Sequence, residues 1–123
     1  KTAAYRGQPV LLHIFSTWDP ALSFDVELLR SLHEEHGEEL RIIGIALNPE
    51  GYSIVAPWKR AMRIDYLIAL GDDALRGGQS SLGRLERQLT TLLLDRKGRL
   101  VRRWNGPLDE KTLREKVRSL VQQ

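Results

Sequence analysis

The chain contains no cysteine, and this absence removes several kinds of chemistry at once. Its own residues cannot form a disulfide, a thiolate nucleophile, an iron–sulfur cluster or a cysteine-ligated zinc site. They cannot exchange disulfides either, because each step of that reaction is the attack of a thiolate on sulfur. The compartment in which the chain works therefore cannot be inferred from cysteine usage.

Long apolar runs and a strong net charge are also missing. No stretch reaches the ~18 apolar residues that a membrane-spanning helix needs, so we expect no such segment. The net charge is only +3, and the basic residues alternate with Glu and Asp instead of forming a stripe. This pattern is typical of a solvated surface and argues against nucleic-acid binding.

Length and composition favour a single globular domain. The 123 residues are 41% hydrophobic and 28% charged, which is ordinary for a soluble protein able to bury its own core. We therefore predict one domain over residues 1–123. The opening "KTAAYRGQPV" starts at Lys1 and resembles the continuation of a longer chain. We expect an upstream segment that would carry any targeting signal or membrane anchor.

Two apolar runs predict the centre of a sheet. "PVLLHIF" (Pro9–Phe15) and "LRIIGIAL" (Leu40–Leu47) are continuous, as expected for strands covered on both faces. Between them, Asp19 is a favoured N-cap and Pro20 suits the first helical position, so a helix is predicted to open there. Gly37 is predicted to close that helix.

The remainder of the chain continues the alternation of strands and helices. It predicts a turn at Asn48–Gly51, a short helix over Pro57–Met62, a brief strand over Asp65–Leu70, a glycine-rich loop, a helical turn near Leu82–Arg87, a hairpin of Thr90–Leu94 and Arg99–Trp104 around Asp95–Gly98, and a last helix from Leu108–Asp109. Strands joined by a crossover helix and finished by a hairpin indicate an α/β three-layer sandwich, a mixed central sheet flanked by helices.

Two long motifs resemble a known family. "GQPVLLHIFSTWDPAL" (Gly7–Leu22) is similar to Gly-Lys-Pro-Val-Val-Leu-x-Phe-Trp-Ala-Thr-Trp-Cys-x-Pro-Cys, and "QLTTLLLDRKGRLV" (Gln88–Val101) to Val-Pro-Thr-Thr-Phe-Leu-Ile-Asp-x-x-Gly-x-Ile-Val. These two family patterns are typical of the thioredoxin-like superfamily, in its TlpA/ResA-type redoxins. The chain therefore resembles bacterial thiol–disulfide oxidoreductases. The resemblance covers nearly the whole chain. It implies a thioredoxin-like fold and an extracytoplasmic location, in the periplasm or the cell envelope.

The resemblance fails where the family carries its chemistry. Asp19 stands at the nucleophilic cysteine, Leu22 at the resolving cysteine, and Leu89 at the cis-proline. A cis bond before a residue other than proline costs ~2.5–4 kcal/mol, so Gln88–Leu89 is expected to be trans. The resemblance thus implies a degenerate active site without catalytic residues, metal or cofactor, formed by Trp18, Asp19, Pro20, Ala21, Leu22, Asp25, Leu89 and Thr90.

Two functions remain open. One is a redox-inactive module that binds a protein or peptide through the surface around Trp18, Asp19, Leu22 and Leu89. The alternative is a thiol–disulfide oxidoreductase or peroxide reductase of the family type, whose cysteines would come from outside this chain. Trp18, with Phe24 and Leu22, either forms an apolar patch for the partner or packs under an upstream segment.

The other polar candidates have simpler interpretations. His13 lies within an apolar strand and is expected to be a core histidine instead of a ligand. Asp25, at the position of a family Glu, is expected to be a solvated or partly buried helix residue. His33 and His36 suit the negative end of a helix, and a metal site there would lack a third ligand. Trp58 and Trp104 are expected to be packing residues.

Overall fold

The computed structural model describes residues 7–71 and 89–122 of the chain. Within these residues there are five strands, three α-helices and one 3-10 turn. In chain order they are β1 (Val10–Phe15), α1 (Leu22–His36), the 3-10 turn (Gly37–Glu39), β2 (Arg41–Ala46), α2 (Tyr52–Ala61), β3 (Leu67–Leu70), β4 (Thr90–Leu94), β5 (Leu100–Asn105) and α3 (Glu110–Val121). The predicted helical turn near Leu82–Arg87 and the Gln88–Leu89 bond lie outside the described residues.

The strands form one mixed sheet in the order β3-β2-β1-β4-β5. β1 runs parallel to β2, and β2 parallel to β3, while β4 is antiparallel to both β1 and β5. Every residue of β1 is buried, which agrees with the apolar run that predicted a central strand. The predicted α/β architecture with a mixed sheet is confirmed.

The two faces of β1 contribute to two separate apolar clusters. Leu11 and Phe15 point to one face and join buried residues of α1, α2 and α3 in the larger cluster. Leu12 and Ile14 point to the other face and join Val10, Ile43, Leu47, Leu92 and Leu94. The larger cluster fixes α1 and α3 to the sheet and so positions the start of α1, where the candidate site lies.

Helix α1 begins later than the sequence predicts. Leu22 is its first residue and Ala21 its N-cap, without a side-chain hydrogen bond at the cap. The prediction that Asp19 caps the helix and Pro20 starts it is wrong, because Oδ1 of Asp19 accepts the backbone N–H of Ala21 (2.9 Å) and closes a separate turn. Gly37 ends α1 with a φ of 57°, as predicted.

Helix α2 also departs from its predicted bounds. It starts at Tyr52, so the helix predicted over Pro57–Met62 is too short, and Pro57 lies inside it. Its end is a Schellman turn: the backbone N–H of Ile64 donates to the carbonyl of Lys59 (3.2 Å), and that of Arg63 donates to the carbonyl of Arg60 (3.2 Å).

The hairpin and the last helix follow the sequence closely. In the β4–β5 turn, Oδ1 of Asp95 accepts the backbone N–H groups of Lys97 and Arg99, each at 2.9 Å. Hydrogen bonding from the Arg99 N–H, with that of Lys97, holds the pKa of Asp95 below its ordinary value. Helix α3 is capped by Asp109, whose side chain accepts the backbone N–H of Thr112, and it begins where the sequence predicts.

None of the helices in the described ranges is long and apolar enough to cross a membrane.

Candidate functional site

The loop from β1 to α1 is a series of tight turns that carries Trp18. The backbone N–H of Asp19 donates to the carbonyl of Ser16, and that of Leu22 to the carbonyl of Asp19, both at 3.1 Å. With the carboxylate of Asp19 on the N–H of Ala21, three bonds fix the path of the chain. The Trp18 backbone therefore has little freedom of its own.

A buried amide just after the neighbouring strand, β2, holds this loop. Oδ1 of Asn48 accepts the backbone N–H of Thr17 (3.1 Å), and Nδ2 of Asn48 donates to Oγ1 of Thr17 (2.8 Å). The sequence predicted only a turn at Asn48. Its proximity to Thr17 follows from topology, because both residues come just after parallel neighbouring strands whose carboxyl ends meet at one edge of the sheet.

The predicted site residues divide into exposed and buried ones. Trp18 is 54% exposed and Phe24 is 52% exposed, Pro20 is exposed, and Asp19 and Ala21 are half-buried. Leu22 is only 3% exposed and packs in the larger core cluster. The apolar patch expected from Trp18, Phe24 and Leu22 therefore lacks Leu22.

Leu89 and Thr90 lie at the start of β4, and both are buried. Leu89 is 2% exposed, belongs to the same core cluster as Leu22, and its carbonyl accepts the N–H of Gly106 (2.7 Å). Thr90 faces Ile14 across the β1–β4 pairing. Leu89 thus stabilises the interior and presents no side chain to a partner, contrary to the expectation that it lies on the binding surface.

Asp25 lies in the interior, facing His13. Both side chains are fully buried, and Oδ2 of Asp25 is 3.4 Å from Nε2 of His13. Oδ1 of Asp25 accepts the backbone N–H of Leu108 (3.2 Å). The expectation of a solvated or partly buried Asp25 is wrong, because Leu22 and Val26 place that side of α1 against the sheet. His13 is a core histidine, as predicted.

The remaining aromatic and histidine candidates are packing residues. Trp58 packs on Phe15 with ring centroids 4.9 Å apart, and Trp104 is buried. The ring of His33 meets that of Tyr66 edge-on, with centroids 6.1 Å apart. Burial raises the pKa of the Tyr66 hydroxyl.

Over residues 7–71 and 89–122 no three His, Asp or Glu side chains come close enough to hold a metal ion.

The described site residues combine exposed aromatic rings with an acid in the interior. Trp18, Pro20 and Phe24 are exposed, and the carboxylate of the half-buried Asp19 already accepts a backbone N–H. The carboxylate of Asp25 is buried, and its two oxygens contact His13 and the N–H of Leu108. Rigidly held, exposed aromatic rings are characteristic of protein-binding surfaces.

Comparison with known proteins defines the fold. No family model and no curated protein matches this sequence. Among solved structures, a thiol:disulfide interchange protein of the thioredoxin family from Chlorobium tepidum matches at a TM-score of 0.81 and 18% identity, over 98% of this chain and 84% of its own. StoA from Bacillus subtilis matches at 0.73 and 20%, over 89% and 82%.

A secreted thiol-disulfide isomerase from Corynebacterium glutamicum gives a similar result. It matches at a TM-score of 0.81 and 18% identity, over 99% of this chain and 75% of its own. Likeness at such low identity speaks for the fold, and the chain has a thioredoxin-like fold. The fold expected from the two sequence motifs is confirmed.

Proposed function

We propose that this chain is a redox-inactive thioredoxin-like module that binds a protein or peptide through the surface of Trp18, Asp19, Pro20 and Phe24. We call these four residues the Trp18 surface. One observation carries the proposal: Trp18 is more than half exposed although its loop is held by a buried amide. A large aromatic ring left in water on a fixed backbone is a costly arrangement unless a partner covers it.

The fixed backbone favours binding for an energetic reason. Association loses the freedom of every side chain and loop that it orders, and a loop ordered beforehand reduces that loss. Thr17 is already tied to Asn48 through two hydrogen bonds. The rings of Trp18 and Phe24 can then contribute most of the area they bury, which suits an extended or helical segment with apolar side chains.

Loss of redox activity follows from the atoms at the two former cysteine positions. Asp19 supplies oxygen and Leu22 supplies carbon, and neither can form a mixed disulfide. The carboxylate of Asp19 accepts a backbone N–H near the start of α1, a role that a thiolate could also fill. A carboxylate thus lies where the family has a thiolate, and no sulfur atom is present to carry electrons.

We also propose an extracytoplasmic location, in the periplasm or cell envelope. The support is the family resemblance and the similarity to a protein described as a secreted thiol-disulfide isomerase. Fractionation of cells that express the protein from its native gene would test this location.

Binding is tested with peptides selected from a displayed random library against the wild-type chain. Trp18→Ala and Phe24→Ala should each weaken the selected peptides by tenfold or more, a typical loss for a buried aromatic contact. Leu100→Ala is the control, because Leu100 is 57% exposed and lies at the start of β5, at the edge of the sheet opposite the β1–α1 loop. Equal affinity of all four proteins would overturn the Trp18 surface.

Redox activity is tested separately by insulin reduction with dithiothreitol. The purified chain should leave the rate unchanged, since it has no thiol to carry electrons. A clear acceleration would contradict the redox-inactive assignment.

A further inference from the structure

A groove unrelated to the Trp18 surface lies between α2 and β3. Its volume is about 460 Å³, within the range of small-molecule sites, and its wall includes Tyr52, Val55, Lys59, Arg60, Arg63 and Ile68. Tyr52, Val55 and Lys59 recur at helical spacing along α2, and Arg63 lies in the turn that ends the helix. The groove is therefore apolar and aromatic at one end and cationic at the other.

The cationic end has more positive than negative charge. Lys59, Arg60 and Arg63 line it together with one carboxylate, Asp65. Within the described ranges, none of these three cations lies within ion-pair distance of a carboxylate. Lys59 and Arg60 are in the last turn of α2, where the helix dipole favours positive charge, so the dipole alone could account for them.

The dipole does not account for the conformation of Arg63. Arg63 has a φ of 56°, and it is the one non-glycine residue with a positive φ in the described part of the chain. It occupies the position after the helix in a Schellman turn. Glycine normally fills this position, because any other side chain there is strained. Strained residues of this kind concentrate at ligand sites.

We propose that this groove binds a small amphipathic carboxylate, with the headgroup at Arg63 and Lys59 and the apolar tail along Val55, Ile68 and Tyr52. A guanidinium presents two parallel N–H donors that match a carboxylate, so arginine is favoured over glycine there in spite of its strain. Val55 and Ile68 are already buried, so the ring of Tyr52, 58% exposed, supplies most of the apolar surface that the tail removes from water. This site is independent of the proposed protein-binding function.

The ligand chemistry is tested with three probes in a titration followed by backbone amide NMR. Phenylbutyrate should bind with a dissociation constant on the order of 1 mM, as expected for a ligand of its size, and shift the amides of residues 52–68. Neutral phenylbutyramide lacks the charge and acetate lacks the tail, so each should bind at least tenfold more weakly. If either bound as well as phenylbutyrate, or if the shifts fell elsewhere, the proposal would be wrong.

Arg63→Gly separates a ligand role from a structural one. Glycine relieves the positive φ, so the variant should melt at a higher temperature than wild type while binding phenylbutyrate about tenfold more weakly. Arg118→Gln, in the last turn of α3, and Trp18→Ala should leave this affinity unchanged. A more stable Arg63→Gly protein with wild-type affinity would show that Arg63 does not hold the ligand.

Discussion

Nε2 of His13 lies 3.4 Å from Oδ2 of Asp25, and neither side chain is exposed to solvent. The other carboxylate oxygen, Oδ1, accepts the backbone N–H of Leu108 at 3.2 Å. One buried side chain thereby connects β1, α1 and the segment that leads into α3. The position that the family resemblance assigns to an active-site acid has a structural role here, because it closes the interior between three elements.

Removing one member of this pair should destabilise the fold. For Asp25→Ala we expect a loss of about 3 kcal/mol in the free energy of unfolding, since the change leaves the Leu108 N–H and His13 without their buried partner. Asp25→Asn should lose less than half of that, because its amide oxygen can still accept from Leu108 and its amide nitrogen can donate to His13. Urea denaturation with matched slopes measures both values.

A double-mutant cycle tests whether His13 and Asp25 stabilise each other. With His13→Leu and Asp25→Leu made singly and together, the double variant should be more stable than the sum of the two losses predicts. The reason is that an apolar pair leaves neither buried polar side chain without its partner. Strict additivity would mean that the 3.4 Å contact contributes nothing.

The sequence predicted the sheet well because its signals there are local. The continuous apolar run of β1 and the Asp-x-x-Gly turn of the hairpin needed no knowledge of distant residues. The His13–Asp25 contact had no such signal. β1 is buried on both faces, so alternation of polar and apolar residues could not tell which face His13 would occupy.

The errors at the candidate site have similar causes. Asp19 and Pro20 carry a strong local signal for a helix start, but the turn closed by the Asp19 carboxylate delays the helix to Leu22. The motif resemblance aligns Leu22 and Leu89 with a cysteine and a proline of the family without telling where a leucine would point. Both leucines join the core because apolar surface is buried wherever packing allows it.

The clamp between Asn48 and Thr17 should control the rigidity of the Trp18 loop. Asn48→Ala removes both hydrogen bonds from a buried site and should cost about 1–3 kcal/mol of stability. Trp18 would then move faster, which time-resolved fluorescence anisotropy detects once Trp58 and Trp104 are replaced by phenylalanine. Ser53→Ala, which removes one exposed hydrogen bond on α2, is the control. Unchanged anisotropy in Asn48→Ala would show that the loop is held by its own turns alone.

Acid stability should depend on the hairpin turn. The pKa of Asp95 is lowered in the folded chain by the N–H groups of Arg99 and Lys97, so folding favours its ionised form. Its stabilising effect is therefore present above the unfolded-state pKa, near pH 4, and is lost as the pH falls through the lower folded-state pKa. Asp95→Asn should be less stable than wild type at pH 6, with the difference shrinking towards pH 2. A constant difference over that range would contradict ionisation as the cause.

Introducing cysteine at positions 19 and 22 tests whether the β1–α1 loop can hold a disulfide. In Asp19→Cys/Leu22→Cys, the N–H of Ala21, which now donates to the Asp19 carboxylate, would donate to a thiolate and lower its pKa. We expect the double variant to form an intramolecular disulfide under mild oxidant, seen as the loss of both free thiols and a monomeric mass. Leu22→Cys alone should lower stability by about 1–3 kcal/mol, because Leu22 is a core residue.

The single variants serve as controls for the double variant. Each one has a single cysteine, so it should keep its free thiol or form a disulfide-linked dimer. An intramolecular disulfide needs two cysteines whose backbones lie close together. Insulin reduction by the double variant should stay slow, since Leu89 replaces the proline that the family resemblance places beside the cysteine pair. If both thiols stayed free under oxidant, the backbone of the β1–α1 loop would hold positions 19 and 22 too far apart for a disulfide.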